Sequence, residues 1–154
     1  MAVRSAGLLI FRQKDQTTEI LLVHPGGPFW VKKDAAAWSI PKGLVDEGED
    51  ELAAAQREVE EEIGTRVEGE FYRLGEYRQR SGKIVVAWAV EAEVDITAIT
   101  SNTFSMEWPP RSGIVKEFPE VDRAGWFTLD EAEDKILKGQ KAILEDFVDW
   151  RARR

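Results

Sequence analysis

Residues 43–65 read GLVDEGEDELAAAQREVEEEIGT, and the arrangement of this stretch governs how the rest of the chain is understood. Between Asp46 and Glu62 lie nine acidic residues and one base, Arg57, a local balance of −8 that equals the formal net charge of all 154 residues. Leu52, Ala55, Val59 and Ile63 recur at helical spacing, so the pattern predicts a helix from Glu49 to Ile63. Gly64 stands where a left-handed C-terminal cap belongs. At about 100° per residue, Glu58, Glu61 and Glu62 share one side of that helix, beside the apolar stripe. Ala54, one turn earlier, is expected to leave room above them. Three adjacent carboxylates repel one another and resist ionisation unless a cation neutralises them. A solvated, salt-bridged face would alternate these acids with lysine or arginine, and here Arg57 stands alone. Oxygen-only ligands suit a hard cation, Mg²⁺ first and Mn²⁺ as the alternative. Because Mg²⁺ keeps several waters and shares its shell with substrate phosphates, such a site points to phosphate chemistry.

Outward from the helix, the chain reads as one α+β domain spanning 1–154, a mixed sheet with helices packed on it. Ser5–Phe11 and Glu19–His24 are apolar runs separated by the polar QKDQTT, hence two strands and a loop. The segment from His24 to Pro28 holds two prolines and two glycines and must be loop. Phe29–Ala37 is read as loop too, and Trp38–Ile40 as a short extended piece before Pro41. Phe71–Arg80 and Lys83–Val94 flank Ser81-Gly82 as a hairpin. The second of these strands is apolar on both alternating faces, which predicts a central position covered on both sides. Asp95–Pro119, with the Trp108-Pro109-Pro110 run, is expected to be a long ordered loop of functional kind. Arg123–Thr128 is a last strand. Thr128-Leu-Asp-Glu131 is a capping box opening a helix that stops near Gly139. Ile143, Leu144, Phe147 and Trp150 define an amphipathic C-terminal helix.

Composition narrows the function classes. No run approaches the roughly 18 apolar residues of a membrane span. The apolar run Leu8–Phe11, cut short by Arg12, is too brief for a signal-peptide core. The absence of cysteine removes disulfides and thiolate metal sites and fits a cytoplasmic location. An acidic chain is poorly suited to bind a nucleic-acid backbone, yet a small phosphorylated ligand is compatible with it if metal ions reverse the local charge. Oligomeric state is not legible.

The full spacing, Gly43, five residues, Glu49, seven residues, Arg57-Glu58-Val59, one residue, Glu61-Glu62, one residue, Gly64, resembles the Nudix box. Thr65 departs from it, standing where an aliphatic residue is usual. Pro41-Lys42 at the entry, the hairpin that follows and the Trp126-Phe127 strand before a capped helix extend the resemblance. It implies a Nudix-type α/β/α sandwich and metal-assisted attack of water on a nucleoside diphosphate linked to another group. It also implies that Glu58, Glu61 and Glu62 bind metal, joined by the backbone carbonyl of Lys42. Arg57 would orient a glutamate, with Glu49 as its partner through a charge-assisted hydrogen bond. A further acidic residue before the late tryptophan-bearing strand, serving as metal ligand or general base, falls on Glu120. Glu117 and Asp122 are its neighbours, and Glu61 is the alternative base. His24, the single histidine, is read as structural.

For the substrate, a base-stacking surface is sought among Phe29, Trp30, Tyr77, Trp88, Phe104 and Trp108, with Trp108 preferred and Trp88 expected in the core. Lys42, Arg78, Arg80 and Arg111 are candidates for distal phosphates. The WSIPKG entry and FPEVDRAGWF look like the branch that hydrolyses diadenosine tetraphosphate. GGPFW and SNTFSMEWPPRSG are similar to a bacterial group of general pyrophosphohydrolases. Three readings follow: a dinucleoside polyphosphate hydrolase, a nucleoside triphosphate pyrophosphatase that clears damaged nucleotides, and a non-catalytic domain that binds nucleotide or protein.

Overall fold

A computed structural model describes residues 3–154. Met1 and Ala2, which open the N-terminal stretch, lie outside the described residues. Strands β1 (Arg4–Lys14) and β2 (Thr17–Pro25) form a hairpin. Both strands are longer than the apolar runs suggested, because QKDQTT contributes residues to each. Only Asp15 and Gln16 form the turn, both at positive φ (50° and 67°), a backbone that matches the twist of paired strands.

The two strands separate toward the start of β1, and β3 (Lys42–Leu44) fills the gap by pairing with Ser5–Gly7. The approach is close: a Cβ on Gly7 would lie 2.6 Å from the Lys42 Cβ and 2.7 Å from the Pro41 carbonyl oxygen. Glycine is required here by space. The extended piece at Trp38–Ile40 bridges β2 through Val23 and Ser39, so the entry to the acidic stretch is tied to the sheet on both sides.

Helix α1 runs Glu51–Ile63. Asp50 caps it, its carboxylate accepting from the Ala53 amide, and Gly64 closes it at φ 76°. Glu49, read as helical, is left outside that cap. The helix buries Ala54, Ala55, Val59 and Ile63, while Leu52 is only partly covered. Ala54 therefore belongs to the packed face of the helix.

After α1 come β4 (Tyr72–Arg78) and β5 (Ile84–Glu91), the hairpin read from Ser81-Gly82. β5 lies between β4 and β1 and is parallel to β1, central as its two apolar faces require. Asp95–Pro119 is not an irregular loop. It holds a 3₁₀ turn at Ile96–Ala98 and a separate hairpin, β6 (Thr103–Glu107) with β7 (Val115–Pro119). The alternation Phe104, Met106 against Thr103, Ser105, Glu107 is a strand pattern, masked by the prolines that follow it.

The last strand, β8 (Val121–Thr128), pairs with β2. The expected capping box opens α2 (Leu129–Lys135), which stops short of Gly139, since Ile136 is already extended. A 3₁₀ turn then leads into α3 (Lys141–Ala152).

The six-stranded mixed sheet has a helix layer on each face. On one, α1 packs against Leu8, Ile10, Leu21, Val86 and Val90. On the other, Ile136, Ile143 and Phe147 meet Leu9, Phe11, Ile20 and Leu22. Fully burying one such side chain contributes about 1.5–3 kcal/mol, so neighbouring residues of β1 stabilise opposite layers. No helix among the described residues is long and apolar enough to cross a membrane.

Candidate active site

The charged face of α1 opens onto a cleft of about 420 Å³ between the helix, β3 and the start of β8. Glu58, Glu61, Glu62 and Glu120 line it together with Ser5, Lys42 and Lys83. The helix supplies three of these carboxylates, and Glu120 arrives from the junction of β7 and β8. At Gly43 a Cβ would lie 1.9 Å from a Glu58 carboxylate oxygen, so the first residue of the box is glycine for want of space.

Arg57 organises the near edge of the cleft. Its Nε and Nη2 each donate to one oxygen of Glu49 at 2.8 Å, so the partner that the resemblance implied is held by a bidentate pairing. Nη1 donates to Glu58 at 2.8 Å, and Nη2 also reaches the Leu44 carbonyl at 3.1 Å. Glu49 accepts from the Asp46 amide as well, at 3.0 Å. The Arg57 bonds, helped by that amide, hold the Glu49 carboxyl down at about 2. Arg57 is thus fixed at one end by Glu49 and presents its remaining nitrogen to Glu58.

The other glutamates sit in a costlier environment. Burial pushes Glu62 up to about 7, against the opposing help of a 3.2 Å bond from the Lys42 amide. Glu120 and Glu58 repel it further. Burial also raises Glu58, offset in part by Arg57. The Lys42 ammonium is lowered, chiefly by burial, although Glu62 partly restores it. A cleft that disfavours its own carboxylates is one in which an added cation is stabilised. Among the described residues no three acidic side chains converge into a ready-made cage. Hard divalent ions of the Mg²⁺ type need only one or two direct carboxylates, the rest of the shell being water and phosphate, so the oxygen-only donor set fits.

Glu117 and Asp122, the neighbours considered beside Glu120, go elsewhere. Glu117 is exposed within β7, and Asp122 accepts at 2.9 Å from the buried His24, whose other nitrogen bonds the Lys33 carbonyl. His24 therefore ties the 26–37 loop to β8 and lies outside the cleft, as a structural histidine does.

The aromatic candidates divide. Tyr77 and Trp88 are core residues, Tyr77 donating to Asp146 at 2.7 Å. Trp108 meets Phe29 edge-on at 5.5 Å, and Phe29 is 59% exposed. Trp30 lines a smaller recess of about 170 Å³ that shares Lys42, Glu62 and Glu120 with the acidic cleft. Of these rings Trp30 adjoins the carboxylates, whereas the Phe29–Trp108 pair lies where the 26–30 loop meets the turn of the β6–β7 hairpin. Arg78, at the exposed end of β4, does not line the cleft, nor does Arg111, at the exposed turn of the β6–β7 hairpin, where its amide bonds Glu107. Arg80 is exposed in the β4–β5 turn. A further cation that lines the cleft, beside Lys42, is Lys83. Parallel pairing of β5 with β1 sets Ile84 opposite Arg4 and Val85 opposite Ser5, which brings Lys83, one residue before the strand, to the same cleft as Ser5. That pairing joins residues far apart in sequence, and no local signal announces it.

The chain matches the NUDIX domain model over residues 1–147. Among curated relatives, the bis(5′-nucleosyl)-tetraphosphatase (asymmetrical) of Sus scrofa is 33% identical over 159 residues, covering 95% of this chain and 93% of that protein. An 8-oxo-(d)GTP phosphatase of Mycolicibacterium smegmatis is 29% identical over 160 residues, and the matched region covers 95% of this chain but only 41% of that protein. Among solved structures, a binary complex of the Caenorhabditis elegans Ap4A hydrolase superposes with a TM-score of 0.70 at 25% identity, over 97% of this chain and 99% of that one.

Proposed function

The chain belongs to the Nudix family of pyrophosphohydrolases, and from that premise we propose that it cleaves a diphosphate linkage in a nucleotide, with a dinucleoside polyphosphate of the diadenosine tetraphosphate type as substrate. The observation that carries this reading is one cleft lined by four carboxylates and two lysines, with Trp30 in the recess that adjoins it. Family members generally depend on divalent ions, and Mg²⁺ is assigned here, with Mn²⁺ as substitute, on the hardness of the donors. Such an ion supplies charge neutralisation of the diphosphate and Lewis-acid activation of water.

The protein's own groups do the rest. Glu58, Glu61 and Glu62, with the Lys42 carbonyl and Glu120, would hold the cation, one or two of the carboxylates directly and the rest through water. Arg57, anchored by Glu49, fixes the Glu58 carboxylate in one orientation. Glu120, or Glu61 in its place, accepts the proton of the attacking water as its oxygen bonds to phosphorus and the bridging P–O bond breaks. Lys42 and Lys83 face the phosphate chain, and Trp108 with Phe29 offers a base one stacking surface. The cysteine-free composition supports a cytoplasmic setting for this reaction.

Product analysis tests the reading. AMP and ATP released from diadenosine tetraphosphate with Mg²⁺ are the expected outcome. Similarity to the mycobacterial phosphatase along nearly the whole of this chain favours a second reading, a pyrophosphatase acting on damaged nucleoside triphosphates. That activity would release a nucleoside monophosphate and pyrophosphate. No cleavage of either substrate class with Mg²⁺ or Mn²⁺ would sink both and leave a nucleotide- or protein-binding domain.

A further inference from the structure

Glu120 stands on no regular element. It is the single residue between Pro119, the end of β7, and Val121, the start of β8, and it is exposed. A carboxylate at such a junction keeps a fixed distance from α1 only if its backbone is held. Three bonds hold it. The Glu120 amide donates to the Asn102 carbonyl at 2.8 Å, and the Gly26 amide donates to the Glu120 carbonyl at 3.0 Å. The Val121 amide donates to the hydroxyl of Ser101 at 3.0 Å.

The same short segment grips the helix. The last carbonyls of a helix have no partner within it. Here the Thr100 amide donates to Ile63 at 3.3 Å and the Asn102 amide to Glu61 at 3.1 Å. Residues 100–102 are therefore a strut from the final turn of α1 to the backbone of Glu120. Ser101 is the one side chain that closes it. Its hydroxyl accepts from Val121 and donates to the Asn102 carbonyl at 2.9 Å, the carbonyl that also receives the Glu120 amide. A hydroxyl has one proton to give and lone pairs to receive, and both capacities are used.

We propose that Ser101 is a positioning residue, which sets the separation between Glu120 and the α1 carboxylates; the proposal rests on the role given to Glu120 above. Alanine at position 101 removes both hydroxyl bonds and leaves the Val121 amide without its partner. Threonine keeps them. Ser101 does not line the acidic cleft, so its effect there is expected to travel through Glu120.

The test compares Ser101→Ala, Ser101→Thr, Glu120→Gln and the Ser101→Ala/Glu120→Gln pair. Three quantities are read: kcat and KM on diadenosine tetraphosphate with Mg²⁺, Mn²⁺ affinity of the metal-free protein by calorimetry, and amide exchange at Glu120 and Val121. Ser101→Ala is expected to lower kcat and Mn²⁺ affinity about tenfold, in the range found when groups that orient metal ligands are removed. KM should hold, exchange at both amides should quicken, and Ser101→Thr should restore wild-type values. With Glu120→Gln already present, adding Ser101→Ala should change kcat and Mn²⁺ affinity less than about twofold, because coupled groups are not additive. Equal losses in both backgrounds would make the hydroxyl ordinary fold support and overturn the proposal, as would wild-type values in Ser101→Ala. Should Glu120→Gln alone keep full kcat and full Mn²⁺ affinity, the role of Glu120 falls and the strut's function with it. Loss in Glu120→Gln without loss in Ser101→Ala removes only the strut. Where turnover of this substrate is absent, Mn²⁺ affinity and amide exchange distinguish the same outcomes.

Discussion

At the scale of single residues, the site is held in a state its own charges oppose. Glu62 has a folded-state pKa of about 7, against 4.5 for the free side chain. The folded protein therefore binds its proton more tightly than the unfolded chain does. The sign follows: this group's contribution to stability is complete below about pH 4.5 and is lost as pH rises through 7. Glu62→Gln should consequently make the metal-free protein more stable at pH 8, on the order of 2 kcal/mol, and flatten its Tm between pH 5 and 8. The same substitution should lower kcat by about a hundredfold or more, since a cation ligand is lost. Denaturation of the metal-free protein across that pH range, beside steady-state kinetics, reads both, and a variant that is less stable yet fully active would make Glu62 a structural group. Arg57 carries a different expectation. Arg57→Lys retains the charge but cannot reproduce the paired bonds to Glu49 together with the one to Glu58. A fall in kcat of about tenfold or more, with little change in Tm, is expected in thermal-shift and kinetic assays, and unchanged kcat would remove its orienting role.

Elements decide where these residues stand. Gly7 lets β3 lie against β1, and with it Lys42 and Gly43 against α1. Gly7→Ala would set a methyl 2.6 Å from the Lys42 Cβ and 2.7 Å from the Pro41 carbonyl oxygen, so β3 would have to shift. A loss of about 1–3 kcal/mol is expected, by overpacking of a tight contact, accompanied by a fall in kcat out of proportion to any change in secondary structure. Urea denaturation and circular dichroism separate the two, and a stable, active Gly7→Ala would show that β3 is free to shift. The β6–β7 hairpin carries the opposite expectation. Removing the Trp108 ring should raise KM by about tenfold while sparing kcat, as loss of a base-stacking surface does. A change in kcat alone would place Trp108 away from the substrate. These two elements also mark what the sequence could and could not disclose. α1 was legible because its apolar period, the Gly64 end and the box spacing all agree, although the Asp50 cap starts it two residues later than Glu49. β5 was legible because a strand apolar on both faces has one place to go. The β6–β7 hairpin was hidden because its short alternation is followed by two prolines, and local signals compete. Lys83 was hidden for another reason: its place depends on which strands become neighbours, a property of the whole chain.

Over the whole molecule, the imbalance of charge is concentrated in one place. Asp46–Glu62 holds nine of the 29 acidic residues and one of the 21 basic ones, so the remainder of the chain is neutral. Repulsion is therefore a property of one loop-and-helix segment packed on a sandwich whose remaining charges balance. A generic salt effect and a specific cation effect can then be told apart. Screening weakens repulsion among exposed charges at any ionic strength above about 0.1 M, whatever the cation. Binding at the cleft instead stabilises by RT ln(1 + [L]/Kd), about 2.7 kcal/mol at a hundredfold excess over Kd. For a domain of this size that corresponds to a rise in Tm of roughly 5–10 °C. The expected result is a saturating rise with Mg²⁺ or Mn²⁺, and a much smaller one with KCl at equal ionic strength. In Glu58→Gln/Glu62→Gln the metal-free Tm should begin higher and the divalent increment should vanish. Scanning calorimetry on the two proteins decides the matter. If KCl matches the divalent salts, or the variant keeps the full increment, the acidic face is a solvated surface and the cation belongs somewhere else on the molecule.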